Sequence, residues 1–420
     1  MTLRLDAETD RPLVARDTQT RYVLASIVAP EGAPRERPPV NLGLVLDHSG
    51  SMAGEKIRLS KDAAVAAIRR LDTRDRFAVV AYDDRVTVVV PSTTASSEPV
   101  RQAVRAVLRI EARGSTDLCG GWLRGCEQVG VVQAPDAVTR VLLLTDGLAN
   151  VGVVDHSEIV GHAAELRRRG IATTTLGVGE DFDEHLLGGM ADDGGGHFYY
   201  IERDEQIPAA IETEVGEALE VTLRGARLRV GPASAVTAAP IAPYPTHREG
   251  DEWVIELGDL VSRQELALPI RVSFTRHALE GAEGSSVRVS CVLTGQTGGR
   301  EAVVAWTLAS GAGVGAQPRN AIVDRAVAEA YAALARREAG RLNRESDFEG
   351  AQRRLARTAA RIKGYAGSDA VLNDLLRDLE RDAEAYFRPM LSGDRKARYM
   401  GTHGSLKHRM ASGSSKRRDA

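Results

Sequence analysis

The sequence predicts an α/β doubly wound, mostly parallel sheet inserted in an antiparallel β-sandwich and followed by a C-terminal helical region. Three observations carry this reading. Between residues 41 and 220, short apolar runs alternate with amphipathic helical segments, the pattern of strands buried on both faces of a parallel sheet. Residues 221–310 switch to segments of period two, separated by Gly- and Pro-rich turns, as sandwich strands do. Residues 318–392 are rich in Ala, Arg, Glu and Leu at helical spacing.

Composition agrees with a globular chain of several units. Its 420 residues exceed one ordinary domain. Hydrophobic residues at 43% suffice for real cores, and aromatics at 4% mean that these pack mainly through aliphatic side chains. Lys and Arg (55) nearly cancel Asp and Glu (58), giving a net charge of −3. This argues against a general binder of nucleic acid or anionic membrane. No apolar stretch is long enough to span a bilayer, and the N-terminal dozen residues lack the apolar run of a signal peptide. The expectation is a cytoplasmic protein with no membrane insertion and no nucleic-acid partner. The Ala/Arg/Gly-rich composition points to a high-GC bacterium.

The elements follow in chain order. Residues 2–6 and 21–28 read as strands, and a Pro-rich connector occupies 30–39. These N-terminal strands (1–40) find no partner in the α/β segment and are assigned to the sandwich. Within 41–220, strands are expected at 42–46, 77–82, 86–90, 141–144, 172–176 and 197–201. Helices are expected at 55–71, 100–110, 118–129 and 157–169, and from about 183 and 205. The turn Asp83-Asp84-Arg85 makes 77–90 an antiparallel edge pair, and Gly170 stops the fourth helix. Helices at 320–339, 347–362 and 368–387 form the helical region. Residues 393–420 are rich in Gly, Ser, Lys and Arg and read as a flexible basic tail. The three cysteines, Cys119, Cys126 and Cys291, have no zinc-like spacing. The first two lie about 10 Å apart along one helix, beyond disulfide reach.

The chemistry concentrates in three loops. Asp47-His48-Ser49-Gly50-Ser51 follows the first α/β strand directly. A D-x-S-x-S loop sets one carboxylate and two hydroxyls on alternate positions, where all three can face one point, and a hard cation takes oxygen ligands of this kind. Thr116 sits in the Gly114-Ser115-Thr116-Asp117 turn before a helix, and Asp146 ends the most apolar strand. In an open α/β sheet such loops converge at the carboxyl ends of the strands.

Residues 41–220 therefore resemble a von Willebrand factor type A domain. Asp47, Ser49, Ser51, Thr116 and Asp146 match all five positions of the family's metal-ion-dependent adhesion site. The resemblance implies Mg2+ (or Mn2+ or Ca2+) with one coordination position left for a partner's Asp or Glu. It further implies that Ser49, Ser51 and Thr116 coordinate directly, while Asp47 and Asp146 act largely through water or hydrogen bonds. The wider arrangement is similar to bacterial proteins of the inter-alpha-inhibitor and calcium-activated-chloride-channel-like group. That group's name carries no function over; the adhesion site implies a non-enzymatic, metal-dependent protein-binding scaffold. The alternative is an adaptor for a separate AAA-type ATPase, as in chelatase-like systems, or a scaffold partnered by a kinase.

Enzyme readings fare less well. An aspartyl-nucleophile phosphohydrolase needs a second Asp where Ser49 stands, and Ser49 lacks the flanking glycines of a nucleophile elbow. His48 reads as a solvent-facing residue at the rim. Gly177-Val178-Gly179 and Gly194-Gly195-Gly196 lack the context of a phosphate-binding loop. The expectation is no catalytic residue.

Overall fold

The computed structural model describes residues 2–18, 20–32, 37–296, 298–407, 409–410 and 414–417. The chain opens with β1 (Arg4–Thr9), β2 (Leu13–Val14) and β3 (Thr20–Val28). The α/β unit follows as β4 (Val40–Asp47), α1 (Glu55–Arg70), β5 (Arg76–Tyr82), β6 (Val86–Thr94), α2 (Ser97–Leu108) and α3 (Leu118–Gly130). It continues through β7 (Val138–Thr145), α4 (His156–Arg168), β8 (Ile171–Val178), α5 (Glu184–Gly194), β9 (Gly195–Ile201) and α6 (Ile207–Ala218).

The α/β sheet has the order β6-β5-β4-β7-β8-β9. Its pairs are parallel except β5 with β6. Every residue of β4 and β7 is buried, which is why both strands read as continuous apolar runs. From β4 the chain winds outward to β6, then returns to β7 on β4's other side. The crevice between the carboxyl ends of β4 and β7 is thus the topological switch point.

Helix α3 lies unusually close to this sheet. A Cβ at Gly121 would fall 2.3 Å from the Tyr82 ring, and one at Gly125 would fall 2.2 Å from Val45. Gly121→Ala should therefore destabilise the protein by about 1–3 kcal/mol, overpacking outweighing the gain of about 1 kcal/mol in helix propensity. Urea unfolding of the two proteins measures the difference.

The sandwich continues with β10 (Val221–Gly231), β11 (Val236–Pro240), β12 (Thr246–Glu249), β13 (Glu252–Val261), β14 (Glu265–Phe274), β15 (Ser286–Gly295) and β16 (Gly298–Leu308). Its sheets run β1-β3-β14-β11 and β12-β13-β10-β15-β16-β2. Strand β3 pairs with β14 from Val28↔Glu265 to Thr20↔Ser273, and β2 pairs with β16. The α/β unit is accordingly inserted between β3 and β10. Trp306 anchors the sandwich core, fully buried and edge-on to Phe274, with its indole N–H donating to Thr9.

Helices α7 (Gly311–Ala316), α8 (Ala321–Arg344), α9 (Phe348–Ala366), α10 (Ala370–Tyr386) and α11 (Ser392–Leu406) complete the chain. Ala332, Ala335, Leu355, Ile362, Leu379 and Tyr386 join α8, α9 and α10 in one core. Among the described residues no helix is long and apolar enough to cross a membrane.

The basic tail differs from its sequence expectation. Residues 392–406 form α11, with Lys396, Tyr399, Thr402 and His403 buried. The physical reason is charge pairing with buried acids of the α/β unit. Arg395 and Lys396 reach Glu184 at 2.7 and 3.3 Å, Lys407 reaches Asp192 at 3.3 Å, and Arg409 reaches Glu217 at 2.9 Å. Residues 408, 411–413 and 418–420 of the expected tail lie outside the described residues.

Candidate metal centre

Strand β4 delivers Asp47 to the switch point, and the chain then turns tightly through Gly50–Met52. Backbone bonds staple this turn to the loop before α3: Gly50 N–H donates to Gly114 O (3.0 Å), and Arg113 N–H donates to His48 O (2.7 Å). The first two motif loops are thereby fixed to each other by main chain.

Four of the five motif residues form one hydrogen-bonded chain. Asp47 Oδ1 accepts from Ser49 N–H, and Oδ2 accepts from the Thr145 hydroxyl, both at 2.8 Å. The Ser49 and Ser51 hydroxyls stand 3.1 Å apart, and Ser51 donates to Asp146 Oδ1 at 2.7 Å. Thr116 is the exception: its hydroxyl makes no hydrogen bond to the other four. It lies beside Gly147, 3.4 Å from where a Cβ would stand there. Asn150 Oδ1 accepts from its backbone N–H at 3.2 Å, which ties the Thr116 loop to the loop after β7.

The interior of the site is negative and its mouth is hydroxyl. Asp47, Ser49, Thr116 and Asp146 are buried, while Ser51 is exposed. Burial pushes the Asp47 carboxyl above the usual range, against the hydrogen bonds from Ser49 and Thr145, and the nearby Asp146 adds to the rise. Among the described residues Asp47 makes no ion pair. Such a carboxylate sits at a cost unless a cation arrives. Two carboxylates and three hydroxyls make an all-oxygen set, which fits a hard divalent ion.

Sequence reasoning missed several supports. Lys56 Nζ donates to Asp146 Oδ2 at 2.6 Å. A signal existed, because a lysine in the first turn of α1 is misplaced relative to the helix dipole. His48, expected at the solvent rim, is buried at 5% exposure, with Nδ1 against the Glu111 carbonyl at 2.8 Å. The main-chain staple at its own carbonyl draws it inward. Buried Asp83 accepts from Arg85 N–H (2.7 Å) and Arg113 Nε (2.8 Å). Burial opposes its charge, but these bonds hold its carboxyl below the usual range.

A second group, His197, Glu214 and Glu217, brings its ligand atoms within 4.8 Å of one another. Arg140 pairs with Glu214 at 2.6 Å and Arg409 with Glu217 at 2.9 Å. Two arginines already neutralise the two carboxylates, so this is a buried ionic network and not a cation site.

The family model for the von Willebrand factor type A domain matches residues 41–213. This segment is a von Willebrand factor type A (VWA) domain. The uncharacterized protein sll0103 of Synechocystis sp. is 28% identical over 60% of this chain and 61% of its own length. Inter-alpha-trypsin inhibitor heavy chain H1 of Sus scrofa is 28% identical over 51% of this chain. The chain spans 24% of that heavy chain's length. A VWA protein of Catenulispora acidiphila shares the fold end to end, covering 99% of this chain and 97% of its own at TM-score 0.73 and 19% identity. VWA domains commonly serve as protein-interaction modules and typically hold a divalent metal at the adhesion site.

Proposed function

We propose that the chain is a non-enzymatic, divalent-metal-dependent protein-binding module. Asp47, Ser49, Ser51, Thr116 and Asp146 hold Mg2+, and a partner's Asp or Glu carboxylate completes the ion's shell. The observation that carries this reading is the hydrogen-bonded chain Asp47–Ser49–Ser51–Asp146, closed at its base and open to solvent at Ser51. Neutral hydroxyls leave much of a dication's charge uncompensated, so an incoming carboxylate gains strongly. Leu148 and Val154, in the loop that follows Asp146, are 53% and 50% exposed and offer apolar contact to such a partner. His48, the titratable side chain nearest in sequence to the serines, is turned away onto Glu111, which favours binding over hydrolysis.

Two measurements test the proposal. Calorimetric titration with Mg2+ should show saturable binding that Ser49→Ala weakens at least tenfold. Affinity capture from the native lysate should retain a protein with Mg2+ and lose it with EDTA or with Asp47→Ala. Capture that ignores both changes would move the binding function to the sandwich or the helices.

A further inference from the structure

A cavity of about 750 Å3 lies between α8, α9, Pro243 and the start of α5. Its lining carries five guanidiniums, Arg337 and Arg341 from α8 and Arg353, Arg354 and Arg357 from α9, against one carboxylate, Glu338. Three of the arginines are already paired. Arg337 binds buried Asp192 at 2.7 Å, Arg341 binds Glu338 and Glu345, and Arg353 binds Glu349 at 3.0 Å. Among the described residues Arg354 and Arg357 make no ion pair, and both are exposed at the cavity wall.

Several exposed helical arginines elsewhere take an acid three or four residues away, as in Arg58 with Glu55, Arg101 with Glu98, Arg168 with Glu165 and Arg381 with Asp378. The residues three or four places from Arg354 are Gly350, Ala351, Arg357 and Thr358; those from Arg357 are Arg353, Arg354, Ala360 and Arg361. Like charges at these spacings repel. The wall therefore gives up stability that a bound anion would return.

We infer that this cavity is a binding site for a multivalent phosphate oxyanion, gripped by Arg354 and Arg357 within the field of the other three arginines. Guanidinium forks match phosphate oxygens bidentately. One carboxylate from a partner would balance only one of the two unpaired guanidiniums, whereas a phosphate dianion balances both. Among the described residues the lining has no Phe, Tyr or Trp, so it offers no broad platform for a base, and recognition rests on the phosphates. The site lies on the α8–α9 face and shares no residue with the adhesion site.

The test is titration calorimetry with sodium tripolyphosphate and with ATP, in EDTA and low salt, so that the metal site plays no part. Saturable binding of both, with affinities within about threefold of each other, is expected. Arg354→Gln/Arg357→Gln should weaken both at least tenfold and remain folded, since it removes repulsion. Arg105→Gln/Arg109→Gln, which takes the same charge from exposed positions on α2 and at its C-terminal cap, should bind as wild type. Absence of saturable binding, equal losses in both double variants, or binding of ATP without tripolyphosphate would each overturn the assignment.

Discussion

Glu214→Ala is expected to cost about 3–5 kcal/mol of folding stability, the range for breaking a buried ion pair from one side. Glu214 is fully buried on α6 and ties that helix to three strands at once. Oε1 accepts from Arg140 of β7 (2.6 Å) and Thr174 of β8 (2.8 Å). Oε2 accepts from the Tyr199 hydroxyl and faces His197 Nδ1 on β9, both at 2.9 Å. Removing the carboxylate strands Arg140, itself 2% exposed, without its hydrogen-bonded counter-ion. Burial alone would raise the Glu214 carboxyl, but the charges facing it, His197, Arg140 and Arg409, hold it well below the usual range. Burial also lowers His197, so the arginines carry most of this attraction near neutrality. The pH dependence follows from that sign. The stabilisation is fully present above the unfolded-state glutamate value of about 4.3 and is lost as pH falls through the lower folded value. Urea unfolding of wild type and Glu214→Ala should show a large gap at pH 7 that narrows in strong acid. The double variant Glu214→Leu/Arg140→Met, which leaves no orphaned charge, should recover most of the loss.

The same network shows why some of this protein was legible in its sequence and some was not. Strands β4 and β7 announce themselves because burial on both faces demands apolar residues at every step. The convergence of the loops that carry Asp47, Ser49, Ser51, Thr116 and Asp146 was legible because loops at a switch point must meet. The basic tail was not legible. Arg395, Lys407 and Arg409 meet Glu184, Asp192 and Glu217 across roughly two hundred residues of chain. Local composition reads such residues as solvated, since nothing near them in sequence reveals a buried acid waiting in space. Lys56 and His48 fell between these cases. Sequence placed Lys56 at the start of a helix and His48 on the motif loop, but the direction each side chain takes is set by Asp146 and by the Glu111 carbonyl. Both partners come from other loops.

Asp47→Asn should separate stability from function at the metal centre. The carboxylate is fully buried and accepts from two neutral donors, Ser49 N–H and the Thr145 hydroxyl. An asparagine oxygen can keep the first bond. Its amide can donate to Thr145 Oγ1, which already accepts from Gly147 N–H, because a hydroxyl reverses its role freely. What disappears is the buried charge, whose ionisation the site resists. In EDTA the variant should unfold at the wild-type temperature or above it. In Mg2+ the order should reverse. Groups that orient metal ligands typically contribute about 10–100-fold in affinity. Wild type at a hundred times its Kd gains about 2.7 kcal/mol from the ion, and the variant would forgo about 1.3–2.3 kcal/mol of that. Thermal unfolding of both proteins, with and without Mg2+, reads all four corners. A midpoint several degrees lower in EDTA would make Asp47 a structural residue of the β4 turn. A midpoint higher in EDTA, with the Mg2+ shift largely lost, would mean that this chain keeps an unpaired buried carboxylate at a cost to its own fold because the ion it attracts is the purpose of the site.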